Sequence, residues 1–226
     1  MLNLSIPIDI WEGKTSNMIK LAAFDMDGVL FEHFNFWYEL HKRFGTYKKG
    51  KELTEKYKKN NYAKLAEEVV NKLWKRKPAK PYFDLVKEAK FLPGVKETFN
   101  ELRKRKIKTA IITSGPRELA LKAQKVLGID FIFTNELVIK NNIITGDFKW
   151  PIADGKNEKV NALRKLCRKL NISLDEIAYV GDNYNDIGAF KIVGLAIAFN
   201  SEEEEVKKFA KVIIDKKDLR EILNHI

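Results

Sequence analysis

The chain has 226 residues, 45% of them hydrophobic, with 42 Lys and Arg against 31 Asp and Glu for a formal net charge of +11. That length fits one α/β domain or a domain with a small insert, and the apolar fraction excludes a wholly disordered chain. One cysteine, Cys167, excludes an intramolecular disulfide framework and a cysteine-based zinc site.

No apolar run approaches the ~18 residues needed to span a bilayer. Residues 1–17 carry Asp9 and Glu12 and lack the basic-then-apolar order of a secretory signal. A soluble cytoplasmic protein without membrane contact is expected. The positive charge is uneven. Between Lys42 and Lys90 there are 16 Lys or Arg and 6 Asp or Glu, a balance of +10, and the rest of the chain carries only +1. Such asymmetry raises nucleic acid or another anion as a partner, against the plainer reading of a solvated helical face. Of the basic residues 34 are Lys and 8 are Arg, and that skew argues against nucleic acid, whose bidentate recognition favours Arg.

In chain order, residues 19–24 form a short apolar run ending at Asp25, the pattern of a buried parallel strand. From 33 to 89 the periodicity is helical. Phe34, Trp37, Tyr38 and His41 would share one face, and Ala63, Ala66, Val70, Leu73 and Trp74 a second, before Pro78 and Pro81 punctuate. Pro93-Gly94 opens a helix to Arg105, and a strand over 107–112 ends at Thr113-Ser114-Gly115. A helix over 117–127 leads to a strand at 131–133. Segments 137–140 and 143–148 form a hairpin around Asn141-Asn142. A helix over 157–170 precedes a strand at 177–180 ending at Gly181-Asp182. Strands at 195–199 and 212–214 then alternate with helices at 202–208 and 217–223. The alternation predicts an α/β fold, a Rossmann-like doubly wound parallel sheet with a helical cap inserted after the first strand and a small β-hairpin. The core would comprise 19–32 and 92–226 and the cap 33–91, with an extension at 1–18. Within the extension, Ile6, Ile8, Ile10 and Trp11 alternate as an added edge strand would; the competing reading is a start at Met18.

Three strands end in polar residues: Asp25-Met26-Asp27-Gly28, Thr113-Ser114-Gly115, and Gly181-Asp182-Asn183-Tyr184-Asn185-Asp186. Ligands in open α/β sheets bind at the carboxyl ends of strands. Four carboxylates gathered there need a hard cation, and oxygen donors without His or Cys select Mg²⁺. Asp25 and Asp182 could instead be helix N-caps, but that reading does not explain all four carboxylates together.

On these motifs the sequence resembles the haloacid dehalogenase-like phosphatases, and within them the phosphoserine phosphatase branch, from about residue 19 to the end. Asp25-Met26-Asp27-Gly28-Val29 stands as the first motif, with Val29 where many members have Thr. Thr113 is the second, a lysine the third, and Gly181-Asp182 with Asp186 the fourth. The resemblance implies a Mg²⁺-dependent phosphatase of a small-molecule phosphomonoester. Asp25 would be the nucleophile that becomes an aspartyl-phosphate, and Asp27 the general acid and base. The metal would be held by Asp25, the Asp27 carbonyl and Asp182, with Asp186 acting through water. The Gly28 amide, the Thr113 hydroxyl and the Ser114 amide would bind the phosphoryl oxygens. Ser114 competes with Thr113 for the second motif, and Lys156 with Lys159 for the lysine.

Ungapped extension puts Phe34 and Val70 where the branch carries the Glu and Arg that recognise phosphoserine. Phosphoserine is therefore expected to be a poor substrate and the leaving group to be less charged. Two other classes fit the sequence: a phosphotransferase or mutase on the same residues, and a nucleic-acid or acidic-partner binder using the basic cap. The sequence leaves the oligomeric state open.

Overall fold

The computed structural model describes residues 18–32, 35–57, 61–152 and 157–226. Phe34, Lys156 and the extension at 1–17 lie outside the described residues. Seven strands form one sheet: β1 (Leu21–Phe24), β2 (Lys108–Pro116), β3 (Phe131–Lys140), β4 (Ile143–Lys149), β5 (Ile177–Gly181), β6 (Leu195–Phe199) and β7 (Val212–Ile214). Their order is β4-β3-β2-β1-β5-β6-β7, parallel throughout except for β4 against β3.

β1 is central, and every one of its side chains is buried. Ala22 and Phe24 face one apolar cluster, shared with Phe99, Leu102, Leu119 and Ala123. Leu21 and Ala23 face the other, with Ala162, Leu163, Leu166 and Phe190. A strand buried on both faces must be apolar at every position rather than alternating, which explains the unbroken Leu-Ala-Ala-Phe run. The first cluster is covered by α5 (Val95–Lys104) and α6 (Arg117–Leu127), the second by α7 (Glu158–Leu170) and α8 (Ile187–Phe190). A short helix at Glu204–Lys207 and a 3₁₀ segment at Leu219–Asn224 complete the chain. Among the described residues no helix is long and apolar enough to cross a membrane.

Between β1 and α5 lie the helices α1 (Phe36–Arg43), α2 (Tyr47–Tyr57), α3 (Tyr62–Glu67) and α4 (Lys80–Glu88). From Glu68 to Trp74 the helix widens into π-type winding. Ala63, expected on the buried face, precedes that segment and is exposed; the buried apolar set is Leu65, Ala66, Val69, Val70 and Trp74. The pairs 65/66 and 69/70 repeat at ordinary helical spacing and leave Ala63 at the edge of the face, and the wider winding that follows keeps Trp74 on it. β3 is one continuous strand rather than the two short ones the sequence suggests. Its hairpin with β4 turns on Asn141 and Asn142, both at positive φ (49° and 60°), as a two-residue primed turn requires. That hairpin also supports the inserted helices. Arg76 N donates to Ile144 O, Ile144 N to Lys77 O, and Ala79 N to Asn142 O, at 2.8–3.0 Å.

The two chain crossings into the helical insert pair with one another. Glu32 N donates to Lys90 O (3.0 Å), Leu92 N donates to Leu30 O (2.9 Å), and Phe31 stacks on Phe91 at 4.6 Å. Lys122 of α6 donates to the carbonyls of Val86 (2.8 Å), Lys87 (3.0 Å) and Ala89 (2.7 Å), which the end of α4 leaves without helical partners. Substituting Lys122→Met is expected to lower unfolding free energy by about 1–3 kcal/mol, the range for a lost charge-assisted hydrogen-bond set. Denaturant melts of the two proteins check this, and an unchanged midpoint would mean that the Lys122 hydrogen bonds add nothing to stability.

His41 of α1 is packed 4.7 Å from Trp74 and bonded through Nδ1 to Thr46 Oγ1 at 2.8 Å. Burial lowers its pKa to about 4. The unfolded chain takes up the proton more readily, so the neutral ring's contribution is complete above about pH 6.5 and is lost as pH falls towards 4. The stability difference amounts to about 2 kcal/mol once the partly solvated ring is discounted. Thermal melts from pH 7 to 4 should therefore fall less steeply for His41→Gln than for the parent chain; parallel curves would contradict this.

Candidate active site

Parallel pairing sets three strand ends side by side. Phe24 is in register with Ile111 of β2 and with Val180 of β5, so Asp25 leaves the sheet between the end of β2 and Gly181. The strand numbering departs from β1 in opposite directions on its two sides, making this the topological switch point, where open sheets place their ligands.

At the centre lies Lys159, fully buried on α7. Its ammonium donates to Asp25 Oδ2 (2.9 Å), Asp186 Oδ1 (2.6 Å) and Asn185 Oδ1 (3.3 Å). Burial alone would push the Lys159 ammonium down, but Asp186 and Asp25 outweigh it and hold it well above the usual lysine value. Burial pushes the Asp25 carboxyl up. Lys159 opposes this shift and Asp186 adds to it. Of the two lysines that the sequence leaves open, Lys159 lies at the strand ends, and Lys156 lies outside the described residues.

Asp186 is saturated as an acceptor. Its Oδ1 receives Lys159 and the Tyr179 hydroxyl (2.8 Å), and its Oδ2 receives the amides of Asp182 (3.0 Å) and Asn183 (3.1 Å). A carboxylate has about four lone-pair sites, and all four are engaged. Asp186 thus organises the loop after β5 and orients Lys159. Gly181 makes room for it, since a Cβ there would come within 2.4 Å of Asp186 Cγ. Gly181→Ala is expected to displace Asp186 and reduce kcat by about 10²-fold with a smaller effect on KM; steady-state kinetics would read this, and full activity would contradict the close approach. Asp25, Asp182 and Asp186 each offer a carboxylate oxygen within 4.8 Å of the others. Three buried carboxylates beside one ammonium, with oxygen donors only, suit a hard divalent cation.

Thr113 is buried at the end of β2, and its Oγ1 accepts from Gly115 N at 3.0 Å. Asp27 lies across from it: a Cβ on Gly115 would stand 3.5 Å from Asp27 Oδ2 and 3.2 Å from Thr113 Oγ1. Gly28 departs from the expected arrangement. Its amide donates to Phe31 O (3.1 Å), closing the turn after β1 in place of facing a phosphoryl group. A φ of 79° gives it a conformational reason to be glycine. Ser114 is held by its carbonyl, which accepts from Trp37 Nε1 (3.0 Å) and Asn135 Nδ2 (2.9 Å). Val70 is fully buried in the core within the π segment; its neighbour Val69 lines the adjoining cavity in the helical insert.

Three residues escape the sequence reading. Tyr179 reaches Asp186 from within β5, and a lone hydroxyl in Ile-Ala-Tyr-Val-Gly is the signal that could have marked it. Ser201 Oγ donates to Asp182 O (2.6 Å). Asn135, fully buried, ties Ser114 to both backbone groups of Ile152.

The family profile for haloacid dehalogenase-like hydrolases matches residues 19–194. The chain is 32% identical over 209 residues to a phosphoserine phosphatase of Methanocaldococcus jannaschii, spanning 92% of this chain and 97% of that one. It is 32% identical over 218 residues to a phosphoserine phosphatase of Campylobacter jejuni subsp. doylei, covering 92% and 100% respectively. Among solved structures, a phospho-aspartyl intermediate analogue of phosphoserine phosphatase superposes with a TM-score of 0.80 at 31% identity, over 93% of this chain and all of that one. A substrate-bound phosphoserine phosphatase complex matches equally well, with a TM-score of 0.80.

Proposed function

Since the chain belongs to the haloacid dehalogenase-like hydrolases and is a phosphatase of that family, we propose that it hydrolyses a small-molecule phosphomonoester through an aspartyl-phosphate at Asp25, with Mg²⁺ as its cofactor. The observation that carries this reading is Lys159. It is enclosed between Asp25 and Asp186 at the meeting point of three strand ends. A buried ammonium against a buried carboxylate both orients that carboxylate and offsets negative charge arriving with the ester.

A carboxylate oxygen of Asp25 attacks phosphorus, and the bond from phosphorus to the ester oxygen breaks. The departing alkoxide takes the proton of the Asp27 carboxyl, which lies across from Thr113. Asp27, now a carboxylate, takes a proton from water as that water attacks phosphorus. The bond to Asp25 then breaks, giving inorganic phosphate and the starting enzyme. Asp25, Asp182 and the Asp27 carbonyl would hold Mg²⁺, with Asp186 behind them, and the ion supplies charge neutralisation for the dianionic ester. Thr113 presents a hydroxyl to the equatorial oxygens.

The test is phosphate release from a panel of phosphomonoesters. Activity is expected with Mg²⁺ and is lost on chelation, then restored by adding the ion back. No release from any ester would contradict the reading.

The positive charge of the helical insert adds a second expectation. Several of its lysines and arginines are engaged locally, as in Arg43–Glu88, Lys64–Glu67 and Lys80–Asp84, but these pairs leave the +10 balance of the segment unchanged. A field of that sign beside a phosphate site draws in dianions, and salt screens it. kcat/KM should fall as ionic strength rises; a flat profile would assign the charge to solvation alone.

A further inference from the structure

The helical insert reaches the catalytic end of β2 through the Trp37 indole. β2 pairs with β3 at Ile112 with Phe133 and again at Pro116 with Asn135, so Thr113, Ser114 and Gly115 stand opposite one residue, Thr134. These residues bulge out of the pairing, and their backbone groups need partners from elsewhere.

The Ser114–Gly115 peptide is held from both sides. Its carbonyl accepts from Trp37 Nε1 (3.0 Å) and from Asn135 Nδ2 (2.9 Å), which occupies both lone pairs of the oxygen. Its amide points the opposite way, because the peptide is trans, and Gly115 N donates to Thr113 Oγ1 at 3.0 Å. The tilt of this one peptide plane therefore places the Thr113 hydroxyl. An oxygen that accepts from Gly115 N keeps its own proton to donate, here towards a phosphoryl group.

The two donors to the carbonyl differ in origin. Asn135 is fully buried and belongs to β3, the strand beside β2. Trp37 lies in the first turn of α1, which Asn35 caps by accepting from Tyr38 N at 3.1 Å. Ring contacts to Phe36 (5.5 Å), Trp74 (5.8 Å) and Trp150 (5.3 Å) fix the indole's orientation, and Phe36 and Trp74 are fully buried. Water could satisfy the same carbonyl, but it would not fix the plane. An indole clamped by three rings does, and its position follows the insert.

We propose that Trp37 is a positioning residue for phosphoryl binding: its N–H sets the Ser114–Gly115 peptide plane and acts on the phosphoryl group through the Thr113 hydroxyl alone. The proposal rests on the phosphatase reading above and gives the insert a part in holding the phosphoryl group. Loss of the indole N–H is then felt only where Thr113 can donate.

The experiment is a double-mutant cycle on Trp37→Phe and Thr113→Val with p-nitrophenyl phosphate and Mg²⁺, read as kcat/KM and as inhibition by inorganic phosphate. Trp37→Phe keeps a ring and removes the donor, and Thr113→Val keeps the shape and removes the hydroxyl. The first is expected to lower kcat/KM by about 10-fold and the second by about 10²-fold. The double variant should match Thr113→Val within about twofold, and inhibition by phosphate should weaken in the same pattern. A role in packing alone would multiply the two losses to about 10³-fold, which would overturn the proposal and leave the phosphatase reading intact. So would a Trp37→Phe enzyme within about twofold of the parent. If Trp37→Phe does not fold, benzothienylalanine in place of Trp37 keeps the shape of the indole, lacks the N–H and completes the same cycle. If no ester is hydrolysed, the phosphatase reading fails, and calorimetric titration with inorganic phosphate and Mg²⁺ judges the proposal. Binding weakened by Trp37→Phe in the parent but not in Thr113→Val would support it. Binding that Trp37→Phe leaves unchanged, or no binding to the parent, would overturn it.

Discussion

Replacing Asp25 with asparagine is expected to reduce kcat by at least about 10⁴-fold for every ester the enzyme turns over. The amide retains the shape of the carboxylate but cannot form the phosphoryl bond. Stability should change little or rise. Burial and Asp186 already work against a charge at this position, and Lys159 keeps Asp186 as a partner at 2.6 Å. Steady-state kinetics and a thermal melt on the same preparation therefore separate a chemical role from a structural one. Activity within tenfold of the parent would remove Asp25 as the nucleophile.

Lys159→Met should be damaging in both respects. The ammonium is enclosed, with Asp25, Asp186 and Asn185 as its acceptors. Removing it leaves two buried carboxylates facing each other, and breaking a buried ion pair in this way costs about 3–5 kcal/mol. kcat should also fall by about 10²–10³-fold, the scale for losing one preorganised charge at a reacting group. Added Mg²⁺ should recover part of the lost stability by replacing positive charge, whereas Asp25→Asn needs no such rescue. A Lys159→Met protein with the parent's melting temperature would mean that the carboxylates are separated or protonated without the lysine.

The sheet was largely legible because its central strands are buried on both faces, which forces short apolar runs such as Leu21–Phe24 and Ile177–Gly181, each followed abruptly by Asp or Gly-Asp. Those abrupt ends also marked Asp25, Asp27, Thr113 and Asp182 as candidates. Lys159 could not be separated from the other lysines by composition; only the family resemblance chose it, and its burial gives the physical reason. The π winding of Glu68–Trp74 was not legible, because the apolar spacing that defines a face presupposes the helix period it is used to infer. Likewise, Tyr179, Asn135 and Ser201 act through partners 7 to 21 residues away, and no local pattern records such pairings. The cavity in the helical insert is a further case: Trp37, Trp74 and Trp150 line it from positions far apart in the chain, with residues 76–79 hydrogen-bonded to the β3–β4 hairpin that precedes Trp150.

Chemical quench of the enzyme during turnover tests the aspartyl-phosphate most directly. Mixing with a hydrolysed ester and Mg²⁺, acid quenching within the first turnovers and mapping peptides by mass should find one phosphoryl group on the peptide containing Asp25. With an ester whose leaving group needs no proton, such as p-nitrophenyl phosphate, the label should increase in Asp27→Asn, whose second step lacks its base, and with any ester it should be absent in Asp25→Asn. Turnover with no phosphoryl group on that peptide at any time point, together with inversion at a chiral phosphorus centre, would mean that water attacks the ester directly and would contradict the covalent mechanism.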